Sequence, residues 1–152
     1  MPAPHLRLRK YLDAAPAAVT WPGGIKPVPF DAVDPRRIRA VLDAAFPDRV
    51  AGSDEWYGNL TGDSEFDAAL CVPAVAEDGS VAGFVQCWTS NFIKDLAVAP
   101  AYRRLGLGTA LMRHAFALFA ARGAPFVDLK VQLDAEPARR LYAGLGMVEA
   151  PL

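Results

Sequence analysis

The 152-residue chain has little of what marks a metal protein or a disulfide-linked one. It contains only two cysteines, Cys71 and Cys87, and both stand in apolar segments without the spacing of metal ligands. Buried free thiols are therefore favoured over a disulfide or a nucleophile. We expect no metal site.

Long apolar runs and an excess of one charge are also absent. No stretch reaches the ~18–20 apolar residues of a membrane span, and 16 basic residues nearly balance 17 acidic ones, for a net charge of −1. These absences disfavour membrane and nucleic-acid partners. Because the N-terminus has no apolar leader, we expect a soluble, cytoplasmic protein.

Hydrophobic periodicity and turn residues predict a strand, two helices, three strands, a helix, a strand and a helix. The predicted ranges, in order, are 25–30, 35–46, 53–60, 68–75, 81–89, 92–99, 109–122, 126–131 and 137–145. This order predicts an α/β (α+β) fold, a mixed sheet with helices on both faces. The strands joined by the helix that starts at Thr109 should be parallel, with a ligand cleft at their carboxyl ends.

The first 18 residues have two interpretations. The segment from Leu6 to Leu12 alternates partly like an edge strand, but a disordered arm with solvated basic residues explains it equally well. We therefore divide the chain into an N-terminal arm or extra edge strand, residues 1–18, and one domain, residues 19–152.

The most informative segment runs from Leu96 to Thr109, where an apolar strand leads through a turn into a helix. Gly106 and Gly108 let a ligand approach the backbone closely, and a helix N-terminus attracts anions. Arg103 and Arg104 add positive charge at the same place. The pattern predicts a pyrophosphate site; the alternative is a tight strand-to-helix turn with solvated arginines.

Two common phosphate loops do not fit this segment. No Lys-Ser or Lys-Thr follows Gly108, so it is not a P-loop, and a dinucleotide fingerprint needs a third glycine and a later acidic residue. A nucleotide-binding protein with another kind of phosphate loop remains a weaker alternative.

The segment resembles motif A of the GNAT (Gcn5-related N-acetyltransferase) superfamily, an apolar strand and a proline followed by Gln/Arg-x-x-Gly-x-Gly/Ala. A second segment, 138–147, is similar to the superfamily's Ala-x-x-Leu-Tyr-x-x-x-Gly-Phe motif. The resemblance covers residues 81–148 well and extends more loosely back to Trp21. It implies the GNAT-like acyl-CoA N-acyltransferase fold, whose mixed central sheet is mostly antiparallel.

The same resemblance implies an N-acetyltransferase that moves the acetyl group of acetyl-CoA, without a metal, to a primary amine of a small molecule or peptide. The amine attacks the thioester directly. The implied cofactor residues are the strand that pairs with the pantetheine arm and the loop that holds the pyrophosphate: Leu96, Ala97, Val98, Arg103, Arg104, Leu105, Gly106, Leu107, Gly108 and Thr109.

Two residues are catalytic candidates. Tyr142 matches the family tyrosine that donates a proton to the departing thiolate; the alternative is a tyrosine that packs on the core. Asp95 precedes the Leu-x-Val strand, where it can face the acceptor's ammonium or take its proton; the alternative is a solvated carboxylate beside Lys94. His5, His114 and Glu55 are weaker candidates for the base.

Two departures from the family pattern favour a different class, a catalytically weak or inactive acyl-CoA-binding module. Ala135 stands where many members have asparagine, seven residues before the tyrosine. The chain also ends at Leu152, six residues after Gly146, so the final strand that walls the acceptor site is short or absent. The N-terminal arm or a second subunit of a homodimer can complete that wall.

Overall fold

The computed structural model describes residues 4–49 and 53–151. Within these residues, five strands and four α-helices follow one another in the predicted order, preceded by one further strand and followed by another, which makes seven strands. They are β1 (His5–Tyr11), β2 (Lys26–Pro27), α1 (Pro35–Ala45), α2 (Ser53–Thr61), β3 (Cys71–Val75), β4 (Val81–Trp88), β5 (Phe92–Val98), α3 (Leu107–Ala121), β6 (Phe126–Gln132), α4 (Glu136–Gly144) and β7 (Val148–Ala150).

The strands form one sheet in the order β2-β3-β4-β5-β6-β1-β7, and every neighbouring pair is antiparallel except β5 and β6. Alternation along β4 separates two hydrophobic clusters. Phe84 packs with Ile38 of α1, whereas Val85 packs with Leu111 of α3. The predicted mixed, mostly antiparallel sheet with helices on both faces is therefore confirmed.

Local sequence signals set several helix and strand ends as predicted. The side chain of Asp34 accepts a hydrogen bond from the Arg36 amide at 2.9 Å, and Pro35 occupies the first turn of α1. Strand β2 is shorter than predicted, because Pro27 and Pro29 have no N–H group to donate to β3. It lies at the sheet edge, as those prolines require.

The parallel pair β5 and β6 separates soon after it forms. The strands share one paired position, Phe92 opposite Asp128, next to a hydrogen bond from the Asp128 amide to the Asn91 carbonyl at 2.9 Å. Beyond it, toward the carboxyl ends, the described residues contain no further pairing between them. The predicted parallel pair is confirmed, and the unpaired carboxyl ends of the two strands bound the predicted cleft.

The placement of residues 5–11 differs from both sequence interpretations, because β1 is neither a loose arm nor an edge strand. It pairs along its whole length with β6, from His5 opposite Gln132 to Tyr11 opposite Phe126, and its other side pairs with the short β7. Local sequence could not show this, since the partner strand lies more than a hundred residues away in the chain. The N-terminal segment thus completes the sheet; the boundary at residue 18 stays a prediction.

Both cysteines are buried free thiols, as expected. Burial raises the pKa of Cys71 to about 12 and also raises the pKa of the Cys87 thiol. Since the thiolate is the reactive form, we predict that neither cysteine reacts with an aromatic disulfide reagent at pH 8 in the folded protein. Both should react after unfolding in denaturant, and rapid labelling of the native protein would contradict their burial.

Candidate functional site

The predicted anion site lies where β5 leads into α3. A short 3-10 turn, Pro100–Tyr102, precedes the loop, and α3 begins at Leu107. The first intrahelical bond runs from the Ala110 amide to the Gly106 carbonyl at 3.1 Å. The amides of residues 107–109 therefore have no partner within the helix, and they point with the positive end of its dipole out of the first turn.

Two residues in the left-handed backbone region shape this loop. Gly106 has a φ of 86°, which glycine adopts freely, and Arg104 has a φ of 64°, which costs a residue with a side chain about 1 kcal/mol or more. Such a conformation persists only where the surroundings enforce it. The loop is thus fixed in a shape that leaves the helix N-terminus open.

Gly108 keeps the space in front of that N-terminus free. A Cβ atom at this position would lie 3.6 Å from Leu141 of α4 and 3.9 Å from Val98 of β5, which are ordinary contact distances. The fold therefore tolerates a side chain here. A ligand lying between β5 and α4 would meet that side chain, so the glycine suits close approach of a phosphate to the backbone.

The two arginines of the motif are placed differently. The Arg103 Nε donates to the Val98 carbonyl at 3.2 Å, so this side chain folds back on the end of β5. Arg104 is exposed. Of the two, Arg104 is the freer to meet an anion.

Strand β5 contains a bulge at the point where it leaves β6. Gln86 of β4 lies opposite Asp95, but the next residue, Cys87, lies opposite Ile93, so Lys94 is an extra residue. Past the bulge, Asp95 and Ala97 face the α1 side, whereas Leu96 and Val98 pack on the α3 side. The predicted alternation is confirmed, and the β6-facing edge of this strand offers unpaired backbone groups to an amide ligand.

Asp95 is buried in an ion pair that the sequence did not reveal. Only 4% of its side chain is exposed, and both carboxylate oxygens accept from Arg49, at 2.9 and 2.7 Å. The carboxylate also raises the pKa of the Arg49 guanidinium. The alternative of a solvated carboxylate beside Lys94 is wrong, because Arg49 follows α1 and reaches across to the sheet.

Tyr142 lies on α4, half-buried against the α3-side core. Burial and the nearby Asp95 carboxylate raise the pKa of this phenol above its usual value. The hydroxyl therefore remains protonated through and beyond the neutral range. A protonated phenol near the cleft is what a donor to a departing sulfur requires.

A cavity of about 530 Å³ opens on the α1 side of the sheet, next to Asp95. The aromatic rings of Trp56 from α2 and Trp88 from β4 form part of its wall. The polar side chains of Gln86, Arg49 and Asp95 also line the cavity. Sequence reasoning missed most of this lining. Gln86 was detectable as the polar residue within the otherwise apolar strand, but no local signal distinguishes Arg49.

The weaker base candidates lie in three separate places. Glu55 is exposed and is not part of the cavity lining described above. His114 is half-buried rather than exposed, with its ring 5.6 Å from that of Trp21, and burial lowers its pKa. His5 is exposed at the start of β1, opposite Gln132 at the open end of β6.

Within residues 4–49 and 53–151, no cluster of three or more histidine, cysteine, aspartate or glutamate side chains is suited to a metal ion. None of the helices in those residues is long and apolar enough to cross a membrane.

Comparison with known proteins matches this architecture. The sequence model of the Acetyltransferase (GNAT) family matches residues 36–147. Streptothricin acetyltransferase of Streptomyces lavendulae is 36% identical over 110 residues, 69% of this chain and 56% of the relative. An N-alpha-acetyltransferase of Sulfurisphaera tokodaii is 35% identical over 101 residues, covering 56% and 59% of the two chains.

Solved structures agree with the fold. A GCN5-related N-acetyltransferase from Sphaerobacter thermophilus superposes with a TM-score of 0.85 at 27% identity, over 96% of this chain and 48% of the other. Ard1 from Thermoplasma volcanium superposes with a TM-score of 0.67 at 23% identity, over 84% and 85%. The chain spans about half the length of the curated relatives named above and of the first of these structures.

Proposed function

We propose, because this chain belongs to the GNAT acetyltransferase family, that it transfers the acetyl group of acetyl-CoA to a primary amine of a small molecule or peptide. The observation that carries the proposal is the meeting of three features at one cleft. These are the open N-terminus of α3, the separation of β5 from β6, and the half-buried phenol of Tyr142.

The described residues fit the cofactor. The amides of residues 107–109 and the space kept by Gly108 would hold the pyrophosphate, with Arg104 adding charge. The β6-facing edge of β5 at Leu96, Ala97 and Val98, apart from the Val98 carbonyl that accepts from Arg103, would hydrogen-bond the amides of the pantetheine arm. Bound there, acetyl-CoA supplies the activated thioester.

Tyr142 and Asp95 then have distinct proposed roles. Tyr142 holds a proton that the sulfur receives as the C–S bond breaks. Asp95 faces the cavity that would take the acceptor, with Arg49 fixed on both its oxygens. With both oxygens engaged, Asp95 is better suited to positioning Arg49 and attracting an ammonium than to accepting a proton. A bound water would then take the proton from the amine.

Asp95→Asn tests this role. We predict a rise of about tenfold in the acceptor KM with a smaller effect on kcat, because the change removes one charge and leaves Arg49 without its counter-ion. The matched control is Asp67→Asn, which removes another arginine-paired carboxylate, at 2.6 Å from Arg122, that is not part of the cavity lining described above. Unchanged kinetics in Asp95→Asn, or equal changes in both variants, would remove Asp95 from the binding of the acceptor.

The direct test of the proposed function is thiol release from acetyl-CoA across a panel of amines. Release that depends on one class of amine supports the transferase. The competing class, a module that binds acyl-CoA without turnover, is favoured by Ala135, whose side chain cannot cap α4, and by the engaged Asp95. Tight CoA binding with no release on any amine would establish that module instead.

Localisation and assembly are part of the proposal. We propose a cytoplasmic enzyme, and fractionation of cells that express a tagged chain tests it. A homodimer is no longer needed to wall the acceptor site next to β6, because β1 of the same chain lies there. Sedimentation at micromolar concentration distinguishes monomer from dimer.

A further inference from the structure

We propose that Arg7 of β1 and Lys130 of β6 form an anion subsite beside the cleft and that the acceptor is an amine carrying a carboxylate. This inference rests on the proposed function, since it names the class of acceptor for the same site. It also makes a prediction about binding alone, which does not depend on turnover.

Both cations lie on the sheet face turned away from α3. In β6, Leu129 and Val131 are buried in the α3-side core, so Lys130 between them points to the other face and is exposed. In β1, Leu8 is buried in the same core, so Arg7 shares the face of Lys130. This is also the face on which Asp95 and the cavity lie.

The two cations are direct neighbours. Arg7 lies opposite Lys130 in the antiparallel pairing of β1 and β6. Residues opposite each other have Cβ atoms about 4.5–5.5 Å apart, and like charges in such a pair destabilise a sheet. Because the fold keeps this repulsive pair of cations, we expect a negatively charged group to bind it.

The protein itself supplies too little negative charge nearby. Asp128 accepts from Arg7 Nη1 at 2.8 Å, but it also accepts two bonds from Arg9, at 2.7 and 2.9 Å. The Arg7 side chain is 26% exposed and its Nη2 donates no hydrogen bond among the described residues, and Lys130 has no ion pair there. One carboxylate thus serves two arginines, leaving a guanidinium N–H and the Lys130 ammonium for a ligand.

The subsite is placed to meet an acceptor. The guanidinium of Arg7 lies 5.8 Å from the ring centroid of Phe92, the β5 residue at the last pairing with β6. Lys130 is two residues farther along β6, or about 6–7 Å toward the open end. A carboxylate has two oxygens, which match one guanidinium N–H and one ammonium, so the amine of the same molecule would extend toward the cleft.

The test uses N-acetylglycine, which has a carboxylate but no amine, and the neutral N-acetylglycinamide as its matched probe. In NMR titrations, N-acetylglycine should bind the wild-type protein, and Lys130→Met should weaken this binding about tenfold or more. Lys130→Arg should retain most of it. Lys26→Met removes an exposed lysine from β2 at the far edge of the sheet and should change nothing. Lys130→Met should also keep or raise the melting temperature, because it removes a like-charge neighbour.

Three results would overturn the inference: no binding of N-acetylglycine, equal binding of the two probes, or equal weakening by Lys130→Met and Lys26→Met. Its failure is distinguishable from failure of the proposed function. Thiol release without preference for carboxylated amines refutes only the subsite. Carboxylate binding at Lys130 without thiol release on any amine refutes only the transferase.

Discussion

Replacing Gly108 by aspartate should abolish CoA binding and leave the fold intact. The Cβ atom fits, at 3.6 Å from Leu141 and 3.9 Å from Val98, and an acidic side chain in the first turn of a helix is favourable. The same carboxylate would occupy the place of the pyrophosphate and repel it. Losing two or more charge-assisted hydrogen bonds, at roughly 1.5–3 kcal/mol each, predicts a loss of affinity above about 100-fold.

Calorimetric titration with CoA and circular dichroism on the same sample measure both halves of this prediction. Gly108→Ala separates the effect of side-chain volume from that of charge, because the methyl group fits and carries no charge. The affinity of this variant for CoA should fall much less than that of Gly108→Asp. Gly58→Asp, in a helix position with open space around it, controls for an added carboxylate elsewhere. Wild-type affinity in Gly108→Asp would mean that CoA does not bind at this helix.

Replacing Tyr142 by phenylalanine should lower turnover strongly while CoA affinity barely changes. The hydroxyl acts mainly as the C–S bond breaks, and the ring keeps its packing on the core. General acids typically contribute ~10²- to 10⁴-fold. Steady-state thiol release and CoA titration on one preparation separate the two quantities.

The control is Tyr57→Phe, which removes a hydroxyl from an exposed tyrosine on α2 that stacks on Phe30. A loss below about threefold in Tyr142→Phe, far short of the range for a general acid, would make Tyr142 a packing residue. The pH profile adds an independent check. Since the pKa of Tyr142 is raised, the donor stays protonated to higher pH, and turnover should not decline from loss of this proton below the usual tyrosine value of ~10.

Local sequence predicted much of the backbone geometry at the proposed cofactor site. Gly106 adopts the left-handed backbone that the motif requires, and strand alternation places Leu96 and Asp95 on opposite faces as predicted. These are properties of consecutive residues, so spacing alone reveals them.

The proposed acceptor side depends on contacts between distant parts of the chain, which spacing cannot reveal. Arg49 meets Asp95 across 46 residues, and Arg7 meets Asp128 across 121. The basic residues of β1 looked like those of a solvated arm. Only the pairing with β6 turns Arg7 toward the cleft and places Lys130 opposite it.

A structure of the protein crystallised with CoA tests the central claim most directly. We expect the pyrophosphate on the amides of residues 107–109, and the pantetheine arm along the β6-facing edge of Leu96 to Val98, with its sulfur near Tyr142. CoA bound at any other surface, or an empty α3 N-terminus at saturating CoA, would contradict it.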